Sequence, residues 1–521
     1  METKIKKNTR LQNSMRNFVF GLGAQIFHYV LSFATRTIFI RLLSAEYLGV
    51  NGLFSNILSI LSLVEMGIGG SFSSLLYKPL HEGDTEKLKS LMYAFKKAYI
   101  FVGTVVAIGG LSVVPFLDII IKDANIENIE LIYILFLAGS VVSYLCTYRI
   151  SLVIADQKTY IYTIYSQIVI FLQYVLQIIV LLLTKNFILY LIIQIGGSIS
   201  INIILYYKAG KIYPFTKERG EKLDQDTRKD LFKKIYASIY HHAGYVVLTG
   251  TDNILITTII GIYWVGVYSN YLMLIGVITA FAKLFFDAIV ASVGNLTVST
   301  DRDTSYLVFK RVQFMNFLIV GLFSVCLYIL LNPFISLWIG SDYLLDNFTV
   351  LLIVAMFYFG YDGIKKCVAI FKQTTGLFYY DRYSPVAEAS INIILSIILA
   401  KKLGIAGIFL GTIIAALTTK IWIEPYVVYK HFFKVPLKKY FWKLSTYSST
   451  VLFTGFIVKK LVYLINSETW LGFFAMAVCC TLLTGAIFIA LFFRTEEFKY
   501  FYELTKRILV KYIFKTSNSH R

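Results

Sequence analysis

Charge is scarce in this sequence. Only 15% of its residues are Asp, Glu, Lys or Arg, while 57% are hydrophobic and 16% aromatic. A soluble domain carries about 25% charged residues and about 45–50% apolar ones. With a mean hydropathy of +0.68 over 521 residues, a soluble globular protein is excluded. Cysteine is equally thin. Cys146, Cys326, Cys367, Cys479 and Cys480 all fall in apolar runs, without metal-ligand or disulfide-framework spacing. The six histidines form no HExxH pattern, and the adjacent His241 and His242 point to different sides of a helix. No metal, cofactor or catalytic residue is therefore expected. The basic start METKIKKNTRLQNSMRN runs into a full-length apolar span with no small-residue cleavage site, so a first membrane helix is expected there in place of a removable signal peptide.

What the chain has is long apolar runs. Fourteen are expected to span a membrane: 17–41, 49–77, 91–117, 129–154, 159–184, 186–208, 235–261, 264–294, 310–339, 345–371, 384–401, 404–430, 443–466 and 470–493. They are continuous, which excludes a barrel of short alternating strands. Within a bilayer each backbone must satisfy its own polar groups, so the spans are helices. The fold class is thus an all-α polytopic membrane protein. With both termini in the cytoplasm, 40 of the 50 lysines and arginines fall on the cytoplasmic side and seven outside. That asymmetry fixes the orientation and accounts for the net charge of +20 without a nucleic-acid partner. The tail, EEFKYFYELTKRILVKYIFK, spaces apolar residues among lysines, as a helix lying on an anionic leaflet does; an ordinary solvated tail is the alternative.

The two halves echo each other. YLGVNGLFSN, at the start of the second span, returns about 217 residues later as WVGVYSNYLM, at the start of the eighth. Arg149 precedes Gln157 by eight residues, as Lys365 precedes Gln373. The sixth and twelfth spans close on YYKAGKIYP and VYKHFFKVP. The expected organisation is a bundle of six helices over 1–208, a cytoplasmic linker over 209–234, a second bundle over 235–434, two further helices over 435–493 and a basic tail over 494–521. Six spans per half give both halves the same orientation, the arrangement of an alternating-access transporter.

Charges inside apolar runs are the candidate functional residues, because each costs about 2.5–3.5 kcal/mol near the bilayer centre. Arg36 interrupts YVLSFATRTIFIRLL, residues 29–43. It either snorkels to the outer headgroups or faces a cavity. Arg36, Lys283, Arg149 and Lys365 are candidate cations for an anionic substrate group, most plausibly a phosphate, which a guanidinium meets through a bidentate fork. Glu65, Asp252, Asp287 and Asp362 are candidate carboxylates for a coupling proton or sodium ion. Lys283 and Asp287, and Lys420 and Glu424, are each four residues apart and could simply neutralise one another. At the 217 offset Arg36 corresponds to Asn253, beside Asp252. Lys366, Glu388 and the proton-relay candidates His241 and His242 complete the set, and Gly69 and Gly70 suit close helix approach.

The series LSAEYLGVNGLFSNILSILSLVEMGIGGSF, ADQKTYIYT, VGVY and SINIILSIILAKKLGIAGIFLGTIIAALTTKIW resembles the oligosaccharide flippases of the multidrug/oligosaccharidyl-lipid/polysaccharide superfamily. The resemblance runs from about 15 to 490 and is strongest from Asn392 to Gly407, which is similar to that family's eleventh and twelfth helices. It implies two six-helix bundles with two additional helices. It also implies translocation of an undecaprenyl-diphosphate-linked oligosaccharide across a bacterial cytoplasmic membrane for surface polysaccharide assembly, beside a polymerase machinery. The lipid II branch has arginines in both its first and second helices. Here Arg36 stands in the first but Glu65 in the second, which favours the polysaccharide-unit branch. Competing readings are a cation-coupled multidrug exporter, a membrane polymerase or glycosyltransferase, and a non-transporting scaffold. The outside loops are short, and the largest, near 118–130, holds no cluster of catalytic acids or arginines.

Overall fold

A computed structural model describes residues 23 and 25–517, apart from 122–125, 219, 300, 361–362 and 466. At 64, 66, 237–245, 247–249, 284–285, 287–288, 291–292, 294–299 and 508–517 only the backbone is described. Among the described residues there is no strand. The helices are α1 (25–42), α2 (Ala45–Leu61), α3 (Leu63–Glu82), α4 (Thr85–Val113), α5 (Leu117–Ile120), α6 (Ile129–Ala155), α7 (Thr159–Thr184), α8 (Phe187–Ile212), α9 (Gln225–Ile259) and α10 (Ile262–Ser299). They continue with α11 (Arg302–Ile339), α12 (Asn347–Phe359), α13 (Lys366–Thr375), α14 (Ser384–Leu403), α15 (Ile405–Thr418), α16 (Lys420–Val428), α17 (Lys438–Val462), α18 (Trp470–Phe492) and α19 (Glu496–Ser517). Short polar side chains start several of them: Asp84, Asn186, Asp224 and Asp301 each accept a backbone N–H from three residues on. Eight helices among the described residues are long and apolar enough to cross a membrane. Leucines and isoleucines such as Leu183, Leu471 and Leu482 stand outward, as a bilayer-facing surface requires.

Three expected spans are not single helices. The second breaks at Ser62 into α2 and α3, the tenth is divided into α12 and α13, and the twelfth breaks at Thr419 into α15 and α16. Gly363, Ile364 and Lys365, just before α13, are buried, and two of their carbonyls are satisfied from another helix. Asn316 of α11 donates its Nδ2 protons to the carbonyls of Gly363, at 3.2 Å, and Ile364, at 2.6 Å. Buried non-helical backbone at membrane depth is tolerable only with such a partner.

By contact the chain divides into Met1–Ser269 and Asn270–Arg521, the boundary falling within α10. In the first unit α9 packs on α2 and α3, and α6 packs on α4 and α8. This boundary lies downstream of the linker expected at 209–234, because α9 and the first turns of α10 are bound tightly to α2. Two glycines make that contact. A Cβ on Gly49 would overlap the carbonyl of Ile262, and a Cβ on Gly266 would overlap the carbonyl of Ala45. These contacts are reciprocal at the sequence offset: 45 and 49 become 262 and 266 on adding 217. The same holds one layer away. Arg36 hydrogen-bonds Ser269, and a Cβ on Gly52 would stand 3.4 Å from Asn253 Nδ2. Within the first unit these segments thus exchange contacts under the repeat offset.

In the second unit α11 is the central pillar, packed against α12, α17 and α18. Phe317 stacks on Tyr447 at 4.3 Å and meets Phe488 at 5.0 Å, while Gly321 gives α17 and α18 room to approach. The start of α19 docks here as well, through Glu497 on Lys443 and Tyr500 against the Arg311 guanidinium at 3.6 Å. Gly404, at φ +59°, makes the turn between α14 and α15.

Behind this wall lies a buried ionic cluster. Lys372 donates to Asp381 at 2.6 Å and to Glu424 at 2.7 Å, Lys365 lies 3.6 Å from Glu424, and Lys420 pairs with Glu388. Lys420 and Glu424 therefore do not neutralise one another as their spacing suggested; each is paired across helices. The three lysines balance the three carboxylates, which is how charges persist in a low-dielectric interior.

Two outcomes follow from this packing. Gly49→Ala and Gly266→Ala should each lower the unfolding temperature of the purified protein, by the equivalent of about 1–3 kcal/mol of overpacking. Gly196→Ala, which meets nothing within 4 Å, should raise it slightly, as helix propensity alone dictates. Glu424→Ala should destabilise by about 3–5 kcal/mol, because it leaves Lys365 in the interior without its carboxylate and Lys372 with Asp381 alone; thermal unfolding in detergent measures both.

Candidate functional site

The first unit lines an open polar cavity of about 260 Å³. Each contributing helix supplies residues from one face. Ser32, Thr35, Arg36 and Phe39 follow the i, i+3, i+4, i+7 spacing on α1, and Gln173 and Gln177 are four apart on α7, as are Tyr190 and Gln194 on α8. Asn51 and Tyr174 complete the polar lining. Arg36 is thus turned inward and does not snorkel outward. Its Nη2 donates to Ser269 Oγ, and Ser269 passes its own proton to the carbonyl of Gly266 at 2.6 Å. The guanidinium is thereby tied to the backbone turn that makes the glycine contact.

The glutamines are positioned in turn. Gln173 Nε2 donates to Gln177 Oε1 at 3.5 Å, and Gln177 Nε2 to the carbonyl of Tyr190 at 3.5 Å. Gly197 of α8 makes room for the Gln173 amide, which a Cβ there would overlap. Tyr190 packs edge-on against Phe39 at 5.0 Å. Thr35 Oγ1 is buried in the wall with no hydrogen-bond partner. The lining therefore combines one permanent cation, four amides and several hydroxyls, with no carboxylate among the described lining residues. Such a surface can hold an anionic oxygen and neighbouring hydroxyl groups.

The other candidates lie elsewhere. Arg149 is buried between rings, 4.0 Å from Tyr206 and 5.8 Å from Tyr148, and donates to the carbonyl of Thr216 at 3.2 Å. It pins the segment after α8 to the end of α6. Lys365 is 2% exposed within the ionic cluster of the second unit. Lys283 is exposed on α10. Glu65 is half-buried on α3 and accepts from the Tyr99 hydroxyl at 3.3 Å. Asp252 of α9 is 7% exposed, and its Oδ1 has no hydrogen-bond partner. The side chains of Asp287, Asp362, His241 and His242 lie outside the described residues. Gly69 meets the Tyr99 hydroxyl closely, while Gly70 faces open space.

Only one of the four candidate cations therefore lines this cavity. The amides that surround it were missed. Their signal was present: glutamines at 173, 177 and 194 interrupt runs otherwise almost wholly apolar, and uncharged polar residues within spans pair across helices or line cavities just as charges do.

No family model and no curated protein matches the sequence. Solved structures do match in fold. The lipid II flippase MurJ, in an inward closed conformation, aligns with a TM-score of 0.63 at 16% identity, covering 92% of this chain and 100% of that one. An inward-facing multidrug resistance MATE family transporter of the MOP superfamily gives 0.57 at 14%, over 79% and 95%. The eukaryotic MATE transporter AtDTX14 gives 0.50 at 12%, over 85% and 99%. This multi-pass membrane chain has the fold of the multidrug/oligosaccharidyl-lipid/polysaccharide (MOP) superfamily transporters.

Proposed function

We propose that this chain is a flippase for a polyprenyl-diphosphate-linked oligosaccharide, moving the head group across a bacterial cytoplasmic membrane by alternating access of its two repeats. The observation that carries the reading is Arg36 on a cavity of amides and hydroxyls. Arg36 engages a phosphate oxygen; Gln173, Gln177, Gln194 and Asn51 exchange hydrogen bonds with adjoining hydroxyls. A volume of about 260 Å³ holds one such group at a time, so the remainder of the head group enters as the helices part. The prenyl chain stays in the hydrocarbon. Carrying a charged diphosphate through bare lipid would cost many kcal/mol, and a lined polar path removes most of that barrier.

Coupling falls to Asp252. A buried carboxylate with an unpartnered oxygen is costly unless a proton or cation accompanies it, so its loading state can bias one conformation over another. Glu65, held by Tyr99, is the second candidate of this kind. Lys283, exposed on α10, is a second candidate cation for the substrate. Arg149 and Lys365 act structurally, since both are already engaged by the protein. A polysaccharide polymerase is the partner that would use the translocated unit.

The alternative is a cation-coupled multidrug exporter, a reading that the similarity in fold to MATE transporters supports. The lining of the Arg36 cavity speaks against it, because an organic cation would meet a guanidinium and no carboxylate.

In proteoliposomes with a fluorescent polyprenyl-diphosphate oligosaccharide, Arg36→Ala should slow flipping at least about tenfold, the scale of a lost charge-assisted hydrogen bond. Arg36→Lys should recover only part of the rate. Unchanged flipping by well-folded Arg36→Ala, or efflux of a cationic dye in place of lipid flipping, would contradict the proposal.

A further inference from the structure

The second unit carries a recess of about 270 Å³ between α11, α12 and α17. Its walls are apolar: Val325, Leu351, Val354, Val451, Leu452 and Phe456. Three of its hydroxyls bond within the protein. Ser324 donates to the carbonyl of Val320 at 2.7 Å, and Tyr358 and Ser448 bond one another at 3.1 Å. Only one end is charged. There Lys459 Nζ donates to the Tyr328 hydroxyl at 3.0 Å and lies 4.4 Å from that ring's centroid.

Lys459 differs from four other enclosed lysines of this unit. Lys365, Lys372, Lys420 and Lys443 each have a carboxylate within reach, whereas Lys459 makes no ion pair among the described residues. The Tyr328 oxygen accepts from Lys459, so its own proton remains to be donated. A cation and a hydroxyl donor thus stand side by side at the mouth of an apolar slot. The slot has a defined length. From Ser448 to Lys459 along α17 is eleven residues, about 16 Å at about 1.5 Å per residue. One leaflet of hydrocarbon is about 15 Å deep. An apolar recess opening on the bilayer fills with a chain, because an empty one forfeits dispersion contacts along its whole lining.

We infer that this recess binds one acyl chain of an anionic phospholipid, with the lipid phosphate held by Lys459 and Tyr328. The lipid spans one leaflet along α17 and wedges α17 against α11 and α12. Lys460, exposed next to Lys459, adds to the local positive potential.

Native mass spectrometry of the full-length, delipidated protein tests this, with phosphatidylglycerol and phosphatidylethanolamine added at equal concentration. One phosphatidylglycerol should be retained in preference. Lys459→Gln should weaken that retention by roughly tenfold and abolish the preference, while Tyr328→Phe should weaken it less. Ala355→Phe, which fills the recess, should lower retention of both lipids. Unfolding temperatures confirm that each variant is folded. Equal retention of the two lipids, unmoved by Lys459→Gln, would overturn the assignment. So would stoichiometric displacement of phosphatidylglycerol by a polyprenyl phosphate at lower concentration, since the recess would then serve a prenyl chain.

Discussion

The contact between α2 and the start of α10 organises the first unit. Gly49 and Gly266 bring two helix backbones within a distance that no side chain allows, each against a carbonyl of the other segment. In a bilayer, where lipid is as apolar as leucine, such close backbone packing replaces the hydrophobic effect as the driving force between helices. The contact also sets the level of Arg36, because the serine that receives its guanidinium lies three residues beyond Gly266 and is itself bonded to that glycine's carbonyl.

From this follows how the chain tolerates a permanent charge within an apolar run. Arg36 is not left to reach for headgroups. It faces a cavity whose walls come from four helices and whose polar groups are mostly neutral amides. The charges of the second unit are handled differently, by mutual neutralisation across α13, α14, α16 and the loop at Asp381. Arg149, Lys365, Lys372 and Lys420 are engaged away from the polar cavity, whereas Arg36, held by Ser269, lines it.

Much of the fold was legible because membrane helices announce themselves by length and apolarity, and because a repeat leaves its offset in the sequence. The spacing of 217 residues between YLGVNG and WVGVYS returns as reciprocal contacts at 45, 49, 262 and 266, and again at 36, 52, 253 and 269. The helix breaks were not legible. The break before Lys365 depends on an amide from Asn316, some 48 positions away, and locally only Gly360 and Gly363 hint at it. Pairing was misread for the same reason: the i, i+4 spacing of Lys420 and Glu424 is a local cue, but tertiary packing offered each a partner on another helix. At the site, Arg36 stood out as a charge, whereas the glutamines of α7 and α8, being neutral, raised no alarm.

If a guanidinium set in a wall of amides is the place where a lipid-linked sugar gives up its hydration, a structure of the protein with a polyprenyl-diphosphate oligosaccharide decides the matter most directly. The account predicts phosphate oxygens within hydrogen-bonding distance of the Arg36 guanidinium and a sugar ring against Gln173 and Gln177. A head group bound at another place, with the Arg36 cavity unchanged and filled only by water, would contradict it.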